Sequence, residues 1–253
     1  MFRPIFLASA ALLWILLACA PAKANVMLSQ TRVVFHARDR DQSIQLMNVS
    51  DVPMLTQIWL DDGNSGAGAA QSVVPFVVTP PMSRIDPRQS QTLRIVYTGE
   101  PLPADRESVF WLNILEVPPK VAHPKDANIL EISIRNRIKV IYRPTSLTSN
   151  PRAVMASLRW RRVKNADVPS VEAVNPTGYN MALANLQMVE GGHPTGDSVN
   201  TDIPPFTTKI IKLGPGKGSG APVPAAAGAP TGVRYSVVDD LGAYVSTTSG
   251  FAQ

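Results

Sequence analysis

Apolar residues in this chain recur mostly at every second position, in short runs, and no segment sustains a helical period. The clearest run is Leu130 to Tyr142. Leu130, Ile132 and Ile134 share one face, continued by Ile138, Val140 and Tyr142; Glu131, Ser133, Arg135, Arg137 and Lys139 take the other. Side chains alternate faces along a strand, so this spacing predicts a strand with one apolar face. Similar runs predict strands at Leu28–His36, Ser43–Val49, Met54–Leu60, Phe76–Thr79, Thr92–Tyr97, Val109–Val117 and Ile129–Tyr142. Turn residues such as Asp61 to Asn64 and Ile85 to Arg88 separate them. Thr, Ser and Asn then cluster between Pro144 and Pro151. Strands resume at Val154–Val163, Val171–Asn175, Met181–Val189, Thr207–Leu213, Val233–Val238 and Ala243–Thr247. The expected class is all-β. The first seven strands suit an immunoglobulin-like sandwich, with a single barrel as the alternative. Gly214 to Gly232 is a Gly/Pro/Ala tract with too little apolar bulk to pack, which predicts a mobile loop.

The N-terminal end changes the picture of where the chain works. Arg3, an apolar run from Ile5 to Leu17 and the small-x-small triplet Ala22-Lys23-Ala24 predict a cleavable signal peptide over residues 1–24. The apolar run is short for a membrane span, so the mature chain is not expected to insert in a membrane. Leu16-Leu17-Ala18-Cys19 also fits a lipid-attachment box, and cleavage before Asn25 is the favoured reading. That cleavage removes Cys19, the single cysteine, so core packing rather than disulfides must hold the exported protein together. Losing Arg3 and Lys23 takes the formal charge from +5 to +3, far below that of a usual nucleic-acid binder.

Catalytic constellations are missing from the sequence. His36, His123 and His193 have no metal-ligand spacing, and His123 and His193 fall in Pro/Gly-rich stretches expected to be loops. No Gly-x-Ser-x-Gly elbow, His-Glu-x-x-His or P-loop occurs. The doublets Asp61-Asp62 and Asp239-Asp240 read as turn formers. We therefore expect no enzyme, no metal and no cofactor.

Leu102 to Pro119, LPADRESVFWLNILEVPP, carries an Asp-Arg-Glu-Ser core, Trp111, Asn113 and a closing Pro118-Pro119. With the strand LEISIRNRIKVIYRP, it resembles the periplasmic chaperones of the chaperone/usher pathway, which fold and deliver pilus subunits. Asn175 to Tyr179 and Tyr235 to Gly242 extend the resemblance, and Thr79-Pro80-Pro81 matches a family turn with a cis peptide. The resemblance implies two immunoglobulin-like sandwiches with a cleft between them: an N-terminal domain over residues 25–144 and a C-terminal one over 145–253. It further implies that Arg32 and Lys139 hold a subunit's C-terminal carboxylate. Leu130, Ile132 and Ile134 would supply the subunit's missing strand. Glu107, Arg143 and one of Asp239 or Asp240, with Asp240 preferred, would form an interdomain ion network. Implied partners are pilus subunits and an outer-membrane usher, in the periplasm, with self-association through the exposed strand as a further option. The short Lys120 to Ile129 linker resembles the short-loop branch of the family. The rival reading is an exported immunoglobulin-like adhesin or ligand-binding module. The remaining tryptophans, Trp59, Trp111 and Trp160, fall in expected strands rather than binding loops, which disfavours it.

Overall fold

A computed structural model describes residues 25–66, 68–119, 132–163, 168–214 and 230–252. The leader, Leu130, the linker Lys120 to Ile129 and residues 215–229 of the Gly-rich tract lie outside the described residues.

Two apolar cores organise the strands. Around the first, β1 (Val26–Leu28), β3 (Asp41–Asn48), β7 (Ser90–Tyr97) and β5 (Phe76–Thr79) form one sheet, in the order β1-β3-β7-β5. The facing sheet has the order β2 (Arg32–His36), β9 (Ile134–Arg143), β8 (Ser108–Val117), β4 (Met54–Asp61), β6 (Met82–Ile85). Alternation is the reason for this layering: Ile44 and Leu46 on β3 and Leu93 and Ile95 on β7 point inward, with exposed residues between them. Phe35, Phe76, Tyr97, Phe110 and Tyr142 from both sheets meet in an aromatic cluster, with edge-to-face and tilted contacts such as Phe35–Phe76 at 5.3 Å.

The second core lies between a three-stranded sheet, β10 (Arg159–Arg162), β11 (Ser170–Val174) and β14 (Thr208–Lys212), and a four-stranded one. The latter runs β13 (His193–Ile203), β12 (Met181–Glu190), β15 (Gly232–Val238), β16 (Tyr244–Gly250). Trp160 and Tyr235 meet in this core as a tilted pair at 5.0 Å, in one cluster with Met181, Leu186 and Val233. The protein is thus all-β, as the alternation predicts, and forms the two β-sandwich domains that the resemblance implies.

Several expectations need correction. The strand expected over Leu28–His36 is two: β1 pairs with β3, β2 crosses to the other sheet, and the polar Ser29-Gln30-Thr31 makes the crossing. Strand β6 has no counterpart among the expected strands. It is a four-residue edge strand, too short for alternation to register. The cis Thr79–Pro80 bond stands just before it. In the second domain the chain starts not as strand from Val154 but as a helical turn, α1 (Pro151–Val154), continued to Ser157. Asn150 caps it, its Oδ1 accepting from Ala153 N at 2.9 Å, and Pro151 presets the first helical position. His193 opens strand β13 rather than lying in a loop. Among the described residues that strand is a sheet edge paired only with β12, so the backbone ladder forms it without an apolar stripe. Gly232, expected as loop, begins β15, where a Cβ would sit 2.2 Å from Ser249 O.

Candidate functional site

The two partners of β9 do not cover it equally. β8 pairs with it along all but its last residue, from Glu116↔Ile134 to Ser108↔Tyr142. Strand β2 lies on the other edge, parallel, only from Arg32↔Lys139 to His36↔Arg143. Among the described residues the edge from Ile134 to Ile138 therefore has no neighbouring strand. Unpaired N–H and C=O groups in a row form a template for another strand. Beside this edge Ile132 is 62% exposed and Ile134 40%, large apolar side chains left in water. Further along, Ile138 packs against the protein's own core and Val140 is fully within it. The alternating face is thus divided into an exposed half and a buried half.

The open edge ends at two cations. Arg32 and Lys139 are direct neighbours in the parallel ladder, so both side chains leave the same face of the sheet. Arg32 Nη1 donates to the carbonyl of Val238 in the second domain at 3.1 Å, while its Nε is buried without a partner. Burial pushes the Arg32 guanidinium below its ordinary value, against the opposing pull of Asp202, Asp240 and Asp239. Lys139 lies beside the Trp111 ring, 5.4 Å from its centroid, and its ammonium donates to Asp202 on β13. The two cations thus stand in a cleft walled by both domains.

A second cluster bridges the domains a few residues away. Arg143 Nε donates to Glu107 Oε1 at 2.7 Å, and its Nη1 and Nη2 grip both oxygens of Asp240 at 2.7 Å. The other Glu107 oxygen accepts from Asn180 N at 2.8 Å. Burial pushes the Glu107 carboxyl up, with Arg143 and the Asn180 N–H pulling it back. For Arg143, burial acts downward, but Asp240 and Glu107 outweigh it and hold the guanidinium above its ordinary value. Asp239, the alternative, plays a different part. Its Oδ1 accepts from Leu241 N and Ala243 N and shapes the turn. The Asn175 to Tyr179 turn docks on the same junction. Asn175 Nδ2 ties it to Tyr179, Ile203 and Pro204 carbonyls, and Gly178 O accepts from Glu107 N at 2.8 Å. A Cβ on Gly178 would sit 2.6 Å from Asp105 O, so only glycine allows this approach.

Reading Asp61 as a turn former is incomplete. It does accept from Gly63 N, but its side chain is wholly buried and bound by Arg137 and by Asn113 Nδ2. Arg137 lies 4.3 Å above Trp111 and Arg135 5.0 Å above Trp59, so the outer face of this sheet is an interleaved ladder of cations and indoles. Asp202 is a further site residue that sequence reasoning missed. Its run, Ser198 to Asp202, has no motif, and only the fold brings it to Lys139.

The chain matches two family models: the N-terminal domain of the PapD pili and flagellar-assembly chaperones over residues 25–148, and the PapD C-terminal domain over residues 153–249. It belongs to the pilus assembly chaperone family. A curated relative, the chaperone protein FimB/FhaD of Bordetella pertussis, is 38% identical over 225 residues, covering 87% of this chain and 86% of its own. Among solved structures, the CupB2 chaperone of Pseudomonas aeruginosa superposes with a TM-score of 0.72 at 33% identity, covering 89% of this chain and all of its own. The Salmonella enterica SafB chaperone, solved in complex with the SafA pilin, gives 0.73 at 29%, covering 92% of this chaperone and 99% of the matched chain. No helix among the described residues of the chaperone is long and apolar enough to cross a membrane.

Proposed function

We propose that this chaperone captures a pilus subunit by strand addition along β9 and holds the subunit's terminal carboxylate between Arg32 and Lys139. The half-covered β9 carries this reading, because its open edge ends at that cation pair. Lys139 lies five residues beyond Ile134 along the strand, about 17 Å. A subunit ending at the cations would therefore lie alongside Ile132 and Ile134, with Leu130 extending the series. Chaperone–pilin complementation is a known instance of such strand addition: main-chain hydrogen bonds supply affinity and alternate side chains fill pockets. The pilin-bound SafB relative supports the partner class.

The Glu107–Arg143–Asp240 network then fixes the angle of the cleft, a role in orientation more than in stability. The chaperone works without catalysis, in the periplasm, after loss of residues 1–24, and passes its subunit to an outer-membrane usher. N-terminal sequencing of the exported protein should find Asn25 first; lipidated Cys19 would overturn that part. The test of the whole reading is capture of a subunit with a free C-terminus against its amidated twin. Wild type should prefer the free acid, and Lys139→Ala should lose most of the preference.

A further inference from the structure

The carboxylate that Lys139 binds in this structure belongs to the protein itself. Asp202, near the end of β13, accepts from the Lys139 ammonium across the domain junction. It is also the acidic group with the largest electrostatic pull on Arg32. Its own strand keeps it there: Asp202 pairs with Ala182 in the β12 ladder, and Lys209 Nζ clamps the Asp202 carbonyl at 2.9 Å and Thr201 Oγ1 at 2.8 Å. The acid therefore reaches into the cleft from a backbone fixed on the second domain, while the cations stand on the first. Lys139 is only 14% exposed and Asp202 33%, so the pair is reachable from solvent chiefly through its acidic side. Arg32 Nε nearby stays buried and unpartnered, so the surrogate leaves a donor unused.

We infer that Asp202 is a tethered stand-in for the ligand carboxylate, occupying Lys139 in the empty chaperone and displaced when a subunit terminus arrives. This rests on the reading of Arg32 and Lys139 as a carboxylate anchor. The consequence is selectivity. A tethered carboxylate acts at a high effective concentration, on the order of millimolar or more. A free carboxylate without further contacts competes poorly against it. A terminus that also docks a strand on the open edge of β9, and that satisfies Arg32 Nε as Asp202 does not, gains enough to displace it. The anchor thus opens to termini carried on a strand and stays closed to small anions.

The test uses the purified protein, its Asp202→Asn variant and Asp202→Glu, which keeps the charge. Binding is followed by the side-chain NMR signal of Lys139, with an alternating Val/Thr decapeptide as probe, once with a free C-terminal carboxylate and once amidated. Wild type should prefer the acid. Asp202→Asn should bind the acid about two- to fivefold tighter, the scale of a partly exposed ion pair, with the amide unchanged. Asp202→Glu should stay near wild type. Acetate should perturb Lys139 in Asp202→Asn at concentrations that leave wild type silent. If wild type shows no preference for the acid, the anchor reading itself fails, and this inference with it. If wild type prefers the acid but Asp202→Asn binds it no better, or wild type takes up acetate as readily as the variant, the anchor stands and Asp202 is only a strut between the domains.

Discussion

At Arg143 each guanidinium nitrogen has a carboxylate partner, and all four partner oxygens at Glu107 and Asp240 are engaged. At Arg32, a short distance along the same junction, one nitrogen meets a carbonyl, Nε meets nothing, and the neighbouring Lys139 shares a partly exposed acid. Both clusters bridge the same two domains, yet one is complete within the chain and the other is not. A buried ion pair that is fully satisfied fixes geometry; a buried donor left unmatched carries a desolvation cost that a ligand can relieve. Completeness, rather than charge, separates the strut from the site.

The comparison breaks most visibly at Arg143. Arg143→Ala leaves Glu107 buried without its counter-ion, which costs about 3–5 kcal/mol. Thermal unfolding should shift down by about 10 °C, at roughly 2–4 °C per kcal/mol for a chain of this size. An unchanged melting temperature would show that the buried network adds nothing to stability.

Ile134→Asp should lower the melting temperature far less than Arg143→Ala, because its side chain is 40% exposed and lies outside the core. It should cut subunit capture by about tenfold to a hundredfold, the worth of one apolar side chain in a groove, roughly 1.5–3 kcal/mol. What binding remains should still favour a free terminus. Loss of that preference too would mean that edge and anchor are one site.

Lys139→Ala should fold like wild type and weaken capture by about tenfold, the loss of one charge-assisted hydrogen bond. Adding Arg32→Ala should cost little more, since both act on one carboxylate. A melting temperature lowered as far as in Arg143→Ala would place Lys139 with the struts.

The smallest effect belongs to Asp61, which sharpens the comparison as a third cluster on the same sheet. Burial works to raise its carboxyl, but hydrogen bonds from Arg137, Asn113 and Gly63 win and hold it below its ordinary value of 3.8. A folded value below the unfolded one means that its contribution is full above about 3.8 and is lost as pH falls through the folded value. Unfolding curves of Asp61→Asn should therefore lie below wild type at neutral pH and converge with it in acid. Parallel curves at all pH values would show that the carboxylate charge adds nothing.

The sequence by itself determined the two-domain β architecture and the alternating apolar face that runs into β9. Period-two alternation is local, so Ile132 and Ile134, like Val140 and Tyr142, were legible without a fold, whereas the pairing of Glu107 with Arg143 came only through the resemblance to the family. Elements without a local signature were lost: β6 and β13 are edge strands held by backbone pairing, and α1 depends on one cap at Asn150. Tertiary structure alone decided that Asp240 faces Arg143 while Asp239 turns back to its own loop. It supplied the parallel ladder that sets Arg32 beside Lys139, a pair matched beforehand only through the resemblance, and it alone carried Asp202 across to them. The reason is physical: alternation is set by neighbours along the chain, whereas satisfaction of a charge depends on whatever the fold brings within hydrogen-bonding distance.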